Sequence, residues 1–298
     1  NLILGIFDQN KKNIYYSAQQ VIHSENKINL EKLLNIQIRD AEKNLSTHID
    51  KVIVLYDSPK FYSLDFSIKK VFDHSTSIKK VYNSLIDEAN FLVSQNNFKD
   101  QIIHLVVNNI IIDENKKLDS VIKDIKIKSL LLEIKFICLN KKEINDISNI
   151  FRKNNLEILN LYCSSYVKTY LYKKKFQSQD NLIFLDIGHK RSSSLIFNNK
   201  RFEYFKSIAV GGYNITKDIS KVLKLELDYS EDLKIKFNKL EKEVFYKYSE
   251  DKKINPYSEV IEKNISSNLL KKVIEARLDE IIDLVLIQSN YIKNFNFL

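Results

Sequence analysis

Four glycines in 298 residues leave this chain few places for a tight turn, and three of them, Gly188, Gly211 and Gly212, fall in one stretch between Asn181 and Phe237. Glycine is needed where the backbone takes a positive φ or where another segment comes too close for a Cβ. The stretch opens with NLIFLDIGHKRSSSLIF: an apolar run to Asp186 and Gly188, a polar turn, then a second apolar run. Leu182 to Ile187 is too short and apolar for an amphipathic helix and reads as a strand buried on both faces. Ser194 to Phe197 continues as a second strand, Asn198-Asn199-Lys200 turns the chain, and Phe202 to Val210 forms a third. Gly211-Gly212 then feeds a helix through Ile215, Ile219, Val222 and Leu223, with Asn214 or Thr216 as its N-cap. Two readings of these residues stand level. One is a carboxylate at a strand end beside a glycine turn, a common way to place a Mg²⁺-water ligand beside phosphates. The other is a β-hairpin with a surface aspartate.

The rest of the chain alternates strands and helices. Leu2 to Phe7 and Ile14 to Val21 read as paired strands, Leu30 to Leu45 as a helix by period, and Val52 to Tyr56 as a buried strand. From Phe61 to Asn160 a separate α+β module is expected: a helix over Ser77 to Val93, strands at Gln101 to Val107, Ile110 to Asp113 and Leu130 to Leu139, a helix over Lys141 to Asn154, and a strand over Leu156 to Leu161. Tyr162 to Phe176 reads as a helix, its Tyr172-Lys173-Lys174-Lys175 run a solvated end. A mostly helical segment runs from Ser220 to Glu280, interrupted by the SEDKKINPYSEV loop, where Ser258 is a candidate cap. Val273 to Leu286 reads as an amphipathic helix with Arg277 and Glu280 on one side and Leu278, Ile281, Ile282 and Val285 on the other.

Composition excludes more than it assigns. Hydrophobic residues at 44% and charged residues at 29% describe a folding, water-exposed chain. The net charge of +9 comes from lysines scattered among Asn, Ile and Glu, without an aromatic-basic nucleic-acid motif. Cys138 and Cys163 lie far apart in apolar company and read as buried reduced thiols. His104 sits in an apolar strand with no second ligand at metal spacing, so it reads as a satisfied core histidine. No apolar run of membrane-spanning length occurs, and no signal peptide is expected. No H-E-x-x-H, Walker A, CxxC or G-x-S-x-G pattern occurs. Methionine is absent, from which a fragment of a longer protein is expected.

With Asp186-Ile187-Gly188, the second strand, GGYNITKDI and then the E-x-x-K of Glu231 and Lys234 in this order, the chain resembles the actin/Hsp70/sugar-kinase ATPase fold. That fold is ribonuclease H-like α/β in two lobes. Within it the likeness is to FtsA, the bacterial cell-division family that tethers FtsZ to the membrane; VIEARLDEIIDLV, Val273 to Val285, is similar to the FtsA helix that returns from subdomain 2B. The resemblance implies ATP and Mg²⁺ as ligands. It puts cofactor contacts at Asp186, Gly188, Lys190, Ser192, Gly211, Gly212, Glu231 and Lys234, with Asp186 also the metal ligand, and assigns no catalytic residue. The family's second phosphate loop reads D-I-G-G-G-T, whereas here His189 and Lys190 stand in place of glycines and Arg191 in place of the threonine. Their side chains crowd the phosphates, or Lys190 and Arg191 contact them as cations. Nucleotide binding is therefore expected to be impaired, with a weak ATPase at most.

The resemblance also implies an organisation: 1–60 and 161–180 in the first lobe, 61–160 as a module like subdomain 1C, 181–212 and 281–298 in the second lobe, and 213–280 like subdomain 2B. The family's first phosphate loop, adenosine loop and C-terminal membrane helix have no counterpart in the chain. Its expected partners are the FtsZ C-terminal tail, docking at Arg277, Glu280 and Lys272, further copies of itself through the 1C-like module, and the inner face of the cell membrane at the division site. Two alternatives within the superfamily are a PilM-like pilus-assembly ATPase and a sugar kinase. A kinase needs a catalytic aspartate in a sugar pocket and a first phosphate loop, and neither is found.

Overall fold

A computed structural model describes residues 2–8, 10, 12–19, 30–114, 116–118, 120–121, 124–176, 179–247 and 267–287. Contacts divide the chain into two units, Asn1–Asp57 with Leu64–Lys168 and Ser58–Ser63 with Thr169–Leu298. The SEDKKINPYSEV loop with Ser258, and the chain after position 287, lie outside the described residues.

In the first unit β1 (Leu2–Phe7) and β2 (Asn13–Gln19) pair antiparallel. Helix α1 (Leu30–Leu45) follows, with Leu34, Ile38 and Ala41 inward as their period predicts. Strand β3 (Lys51–Tyr56) pairs parallel with β8 (Glu157–Cys163). Leu34 and Ile38 meet Ile147 and Phe151 of α3 (Lys141–Arg152) and Leu156, and Leu4, Val52, Val54 and Ile158 pack against them. Ile53 and Leu55 on the other side of β3 are exposed. An unbroken apolar run predicts a strand covered on both faces, whereas α1 and α3 cover one.

The same unit holds a four-stranded sheet in the order β4 (Tyr62–Ser77), β7 (Lys126–Asn140), β5 (Asp100–Ile112), β6 (Lys116–Leu118). Helix α2 (Ile78–Asn96) buries Ile78, Leu85, Ala89 and Val93, and Leu130, Leu132, Phe136 and Leu139 of β7 are fully buried. Where the sequence suggests two strands broken at Asn108-Asn109, β5 runs through. Its register against β7 shifts between Val107 and Asn109, and the Asn109 amide donates to Glu133 on the neighbouring strand. The boundary drawn at position 160 falls inside β8, whose neighbour is β3. His104 on β5 is satisfied as expected, though half-buried: its Nε2 accepts the Cys163 N–H at 2.9 Å, with the rings of Tyr162 and Tyr166 at 5.6 and 4.6 Å. Cys138 and Cys163 are free and buried.

Helix α4 (Ser164–Lys175) leads into the second unit. Its Lys173 is not a solvated end: Nζ donates to the Lys200 carbonyl at 2.7 Å and lies 4.2 Å from the Phe197 ring centroid. Strands β9 (Leu182–Ile187), β10 (Ser192–Asn198) and β11 (Arg201–Ile208) make an antiparallel sheet with β10 central. Here too one expectation reverses. The apolar β9 is an edge strand with Leu185 and Ile187 exposed, while the serine-rich β10 is buried. Three helices follow: α5 (Gly212–Leu223), α6 (Leu227–Lys247) and α7 (Ser267–Ile282), which continues as a π-helical turn, Asp283–Ile287. Ile215, Ile219, Phe237 and Leu270 form their shared core. The Ser194 hydroxyl donates to the Val285 carbonyl at 2.6 Å, tying the π turn to the buried strand.

Candidate functional site

The turn between β9 and β10 is built by backbone bonds to the start of α5. Gly188 N–H donates to the Arg191 carbonyl at 2.8 Å, closing the turn, and its own carbonyl accepts from Gly212 N–H at 2.9 Å. The His189 carbonyl accepts from Tyr213 N–H at 2.7 Å. The N-cap is Gly211, rather than Asn214 or Thr216. Asn214 acts from inside the helix, its Oδ1 accepting the Gly211 N–H at 3.1 Å. No glycine among the described residues has positive φ, so conformational freedom is not what this glycine cluster supplies. Room is: a Cβ on Gly211 would stand 2.5 Å from the Gly188 carbonyl oxygen and 2.8 Å from the Arg191 amide nitrogen.

The side chains of the turn close on each other. Arg191 is 4% exposed. Its Nη2 donates to Asp186 Oδ2 at 2.7 Å and its Nη1 to Ser193 Oγ at 2.6 Å. Arg191 therefore points inward at the aspartate. A divalent cation on the same carboxylate would stand beside a permanent positive charge. Ser192 is fully buried, its hydroxyl without a hydrogen-bond partner among the described residues. Lys190 Nζ and Lys217 Nζ lie 5.4 and 4.7 Å from the Tyr213 ring centroid, and the His189 ring is 5.1 Å away. Tyr213 thus gathers basic side chains over its ring.

Glu231 and Lys234, one turn apart on α6, bond inward to α5. Lys234 Nζ donates to the Gly212 carbonyl at 3.0 Å, Thr216 Oγ1 at 2.8 Å and Glu231 Oε2 at 2.7 Å, and the Thr216 hydroxyl also reaches Glu231. Burial pushes the Glu231 carboxyl up, but the bonds from Lys234 and Thr216 outweigh it and the net shift is downward. The spacing of the pair is visible in the sequence. That it grips the α5 N-terminal turn is a matter of packing.

A second place lies on α5 and α7: a groove of about 350 Å³ lined by Asp218, Val222, Lys272, Val273, Ala276, Arg277 and Glu280. It brings together all three residues expected to meet a partner, Lys272, Arg277 and Glu280. It adds Asp218, which no sequence spacing links to a residue on α7. Arg277 Nε and Nη2 donate to the two Asp218 oxygens at 2.5 and 3.0 Å, and Nη1 donates to Glu280. The Asp218 bond first, opposed by burial and reinforced by both carboxylate charges, holds the guanidinium pKa above its ordinary value. Lys272 has no ion-pair partner among the described residues.

Residues 183–295 match the family model of the cell division protein FtsA. The segment is FtsA-like. It spans β9 to α7, holding both the turn and the groove, and its match makes the fold α/β of the actin-like kind. FtsA of Helicobacter pylori, from either of two strains, is 24% identical over 107 residues, which are 36% of this chain and 22% of the relative. The FtsA-like match thus spans about a fifth of the length of those relatives. Among solved structures, a PilM–PilN type IV pilus biogenesis complex is similar over 88% of this chain and 78% of that one, at 9% identity and a TM-score of 0.48. A Bacteroides thetaiotaomicron protein with actin-like ATPase fold is similar over 74% of this chain and 72% of that one, at 10% identity and a TM-score of 0.32. No described helix is long and apolar enough to cross a membrane.

Proposed function

We propose that this protein is an FtsA-like cell-division adaptor, which binds the C-terminal tail of FtsZ in the α5–α7 groove and works at the inner face of the membrane. The observation that carries this reading is the coincidence of the FtsA match over 183–295 with a groove that combines apolar walls and cations. A tail that is acidic and apolar would lay its hydrophobic side chains on Val222, Val273 and Ala276 and its carboxylates on a cation. Lys272 is that cation. Arg277, the anchor that the family resemblance suggests, is engaged by Asp218 and Glu280 and shapes the groove wall instead. Self-association belongs in this reading to the four-stranded sheet of the first unit, and catalysis has no part in it.

The test is fluorescence polarisation with a labelled FtsZ C-terminal tail peptide. Lys272→Glu should stay folded and weaken binding by about tenfold or more, the scale of one charge-assisted contact. A parent that does not bind the peptide, or a folded Lys272→Glu variant that binds as the parent does, overturns the reading.

A further inference from the structure

A strand-end carboxylate can hold Mg²⁺ only while its charge is not already met, and a helix N-terminus can hold a phosphate only while its N–H groups lack acceptors. Neither condition is satisfied in the second unit. Asp186 accepts from Arg191 at 2.7 Å, and Arg191 is 4% exposed and pinned from its other side by Ser193. Arginine does not lose its proton in a protein, so the charge beside Asp186 is permanent. The leading N–H groups of α5 are equally engaged. Gly211 donates to Asn214 Oδ1, Gly212 to the Gly188 carbonyl, Tyr213 to the His189 carbonyl and Asn214 to the Gly211 carbonyl. The loop approaches so closely that a Cβ on Gly211 would meet three of its backbone atoms within 2.8 Å. On the adjoining helix, Lys234 donates to the Gly212 carbonyl and to Glu231, which also accepts from the Thr216 hydroxyl of α5.

We propose that Arg191 takes the place of a divalent cation at Asp186, and that the carbonyls of residues 188 and 189 take the place of phosphate oxygens at the start of α5. The turn is then a self-contained clasp that holds β9, β10 and α5 together without metal or nucleotide. Residues that the family resemblance assigns to Mg-ATP act here as the clasp's own ion pair and hydrogen bonds, and they do not fit that ligand. The proposal does not depend on tail binding, and either can fail while the other stands.

The experiment is a titration of the full chain with MnCl₂, followed by water-proton relaxation, alongside thermal unfolding with and without saturating Mg-ATP. The parent is compared with Asp186→Asn/Arg191→Met, which removes the pair together and so leaves no uncompensated charge. Parent and double variant should bind Mn²⁺ within about twofold of each other, and Mg-ATP should leave both melting temperatures unchanged. A parent that binds Mn²⁺ about tenfold tighter than the double variant, or that is stabilised by Mg-ATP when the double variant is not, overturns the proposal. Arg191→Thr uncovers Asp186 and should gain Mn²⁺ affinity by about tenfold. A folded Arg191→Thr protein with no gain refutes Arg191 as the blocking cation, and if that variant does not fold the parent and double variant decide.

Discussion

In the first unit His104 is a half-buried base packed against the rings of Tyr162 and Tyr166; in the second Arg191 is a buried one. Arg191 is withdrawn from water and His104 partly so, and each must avoid an uncompensated charge there. His104 does so by remaining neutral. Its Nε2 accepts the Cys163 N–H, which requires that nitrogen to be unprotonated, and burial lowers its pKa to about 4. Arg191 cannot become neutral and instead carries a carboxylate in with it, Asp186, and a hydroxyl, Ser193. The difference shows why these two side chains should fail under different insults. A titratable base is vulnerable to acid, whereas a fixed cation is vulnerable to the loss of its partner. Arg277 completes the series: with the same fork and two carboxylates it is 23% exposed at the side chain, where water can replace what a substitution removes.

The sharpest way to break this comparison is to separate the Arg191 pair. Arg191→Ala strands Asp186 against a buried serine and should lower stability by about 3 kcal/mol in chemical denaturation, while Asp186→Asn/Arg191→Met should stay within about 1 kcal/mol of the parent. A single variant as stable as the double would mean that the pair is solvated and the contrast with His104 false.

The next effect is on pH. The folded pKa of His104, about 4, lies below its ordinary 6.5, so the unfolded chain binds more protons between those values. The contribution is fully present above pH 6.5, is lost progressively as pH falls, and is gone below about 4. Its size is on the order of 2–3 kcal/mol, after allowing for partial exposure. Urea unfolding at a series of pH values should show that slope, and His104→Gln should flatten it; an unchanged slope in the variant would place the titration elsewhere. The smallest effect is at Arg277, where alanine should cost about 1 kcal/mol in the same denaturation assay, as expected for a partly solvated ion pair. A loss as large as that at Arg191 would show that exposure does not grade these arginines.

What could be read along the chain was whatever local rules govern. Leu30 to Leu45 emerges with its helix bounds intact because one apolar stripe at a 3.6 period covers it. Leu2–Phe7 and Leu182–Ile187 emerge as strands because short apolar runs between polar turns have few other options. The order of elements from Asp186 to Val285 sufficed for the FtsA likeness, and Arg277 and Glu280 were read as neighbours because their i, i+3 spacing makes them so.

The partners of charged groups were not readable in this way. Asp186 and Arg191 both stand in the turn motif, but only the β9–β10 register, with Ser193 opposite Asp186, turns the guanidinium inward. Arg277 and Asp218 are 59 positions apart, on helices brought together by Ile219 and Leu270, and no period along the chain connects them. Which apolar strand lies inside escaped as well, since β9 became an edge while the serines of β10 took the centre. Periodicity records which face of an element avoids water. A charge pairs across space, and whether its partner is a ligand or a side chain of the same molecule depends on the packing that brings the two together.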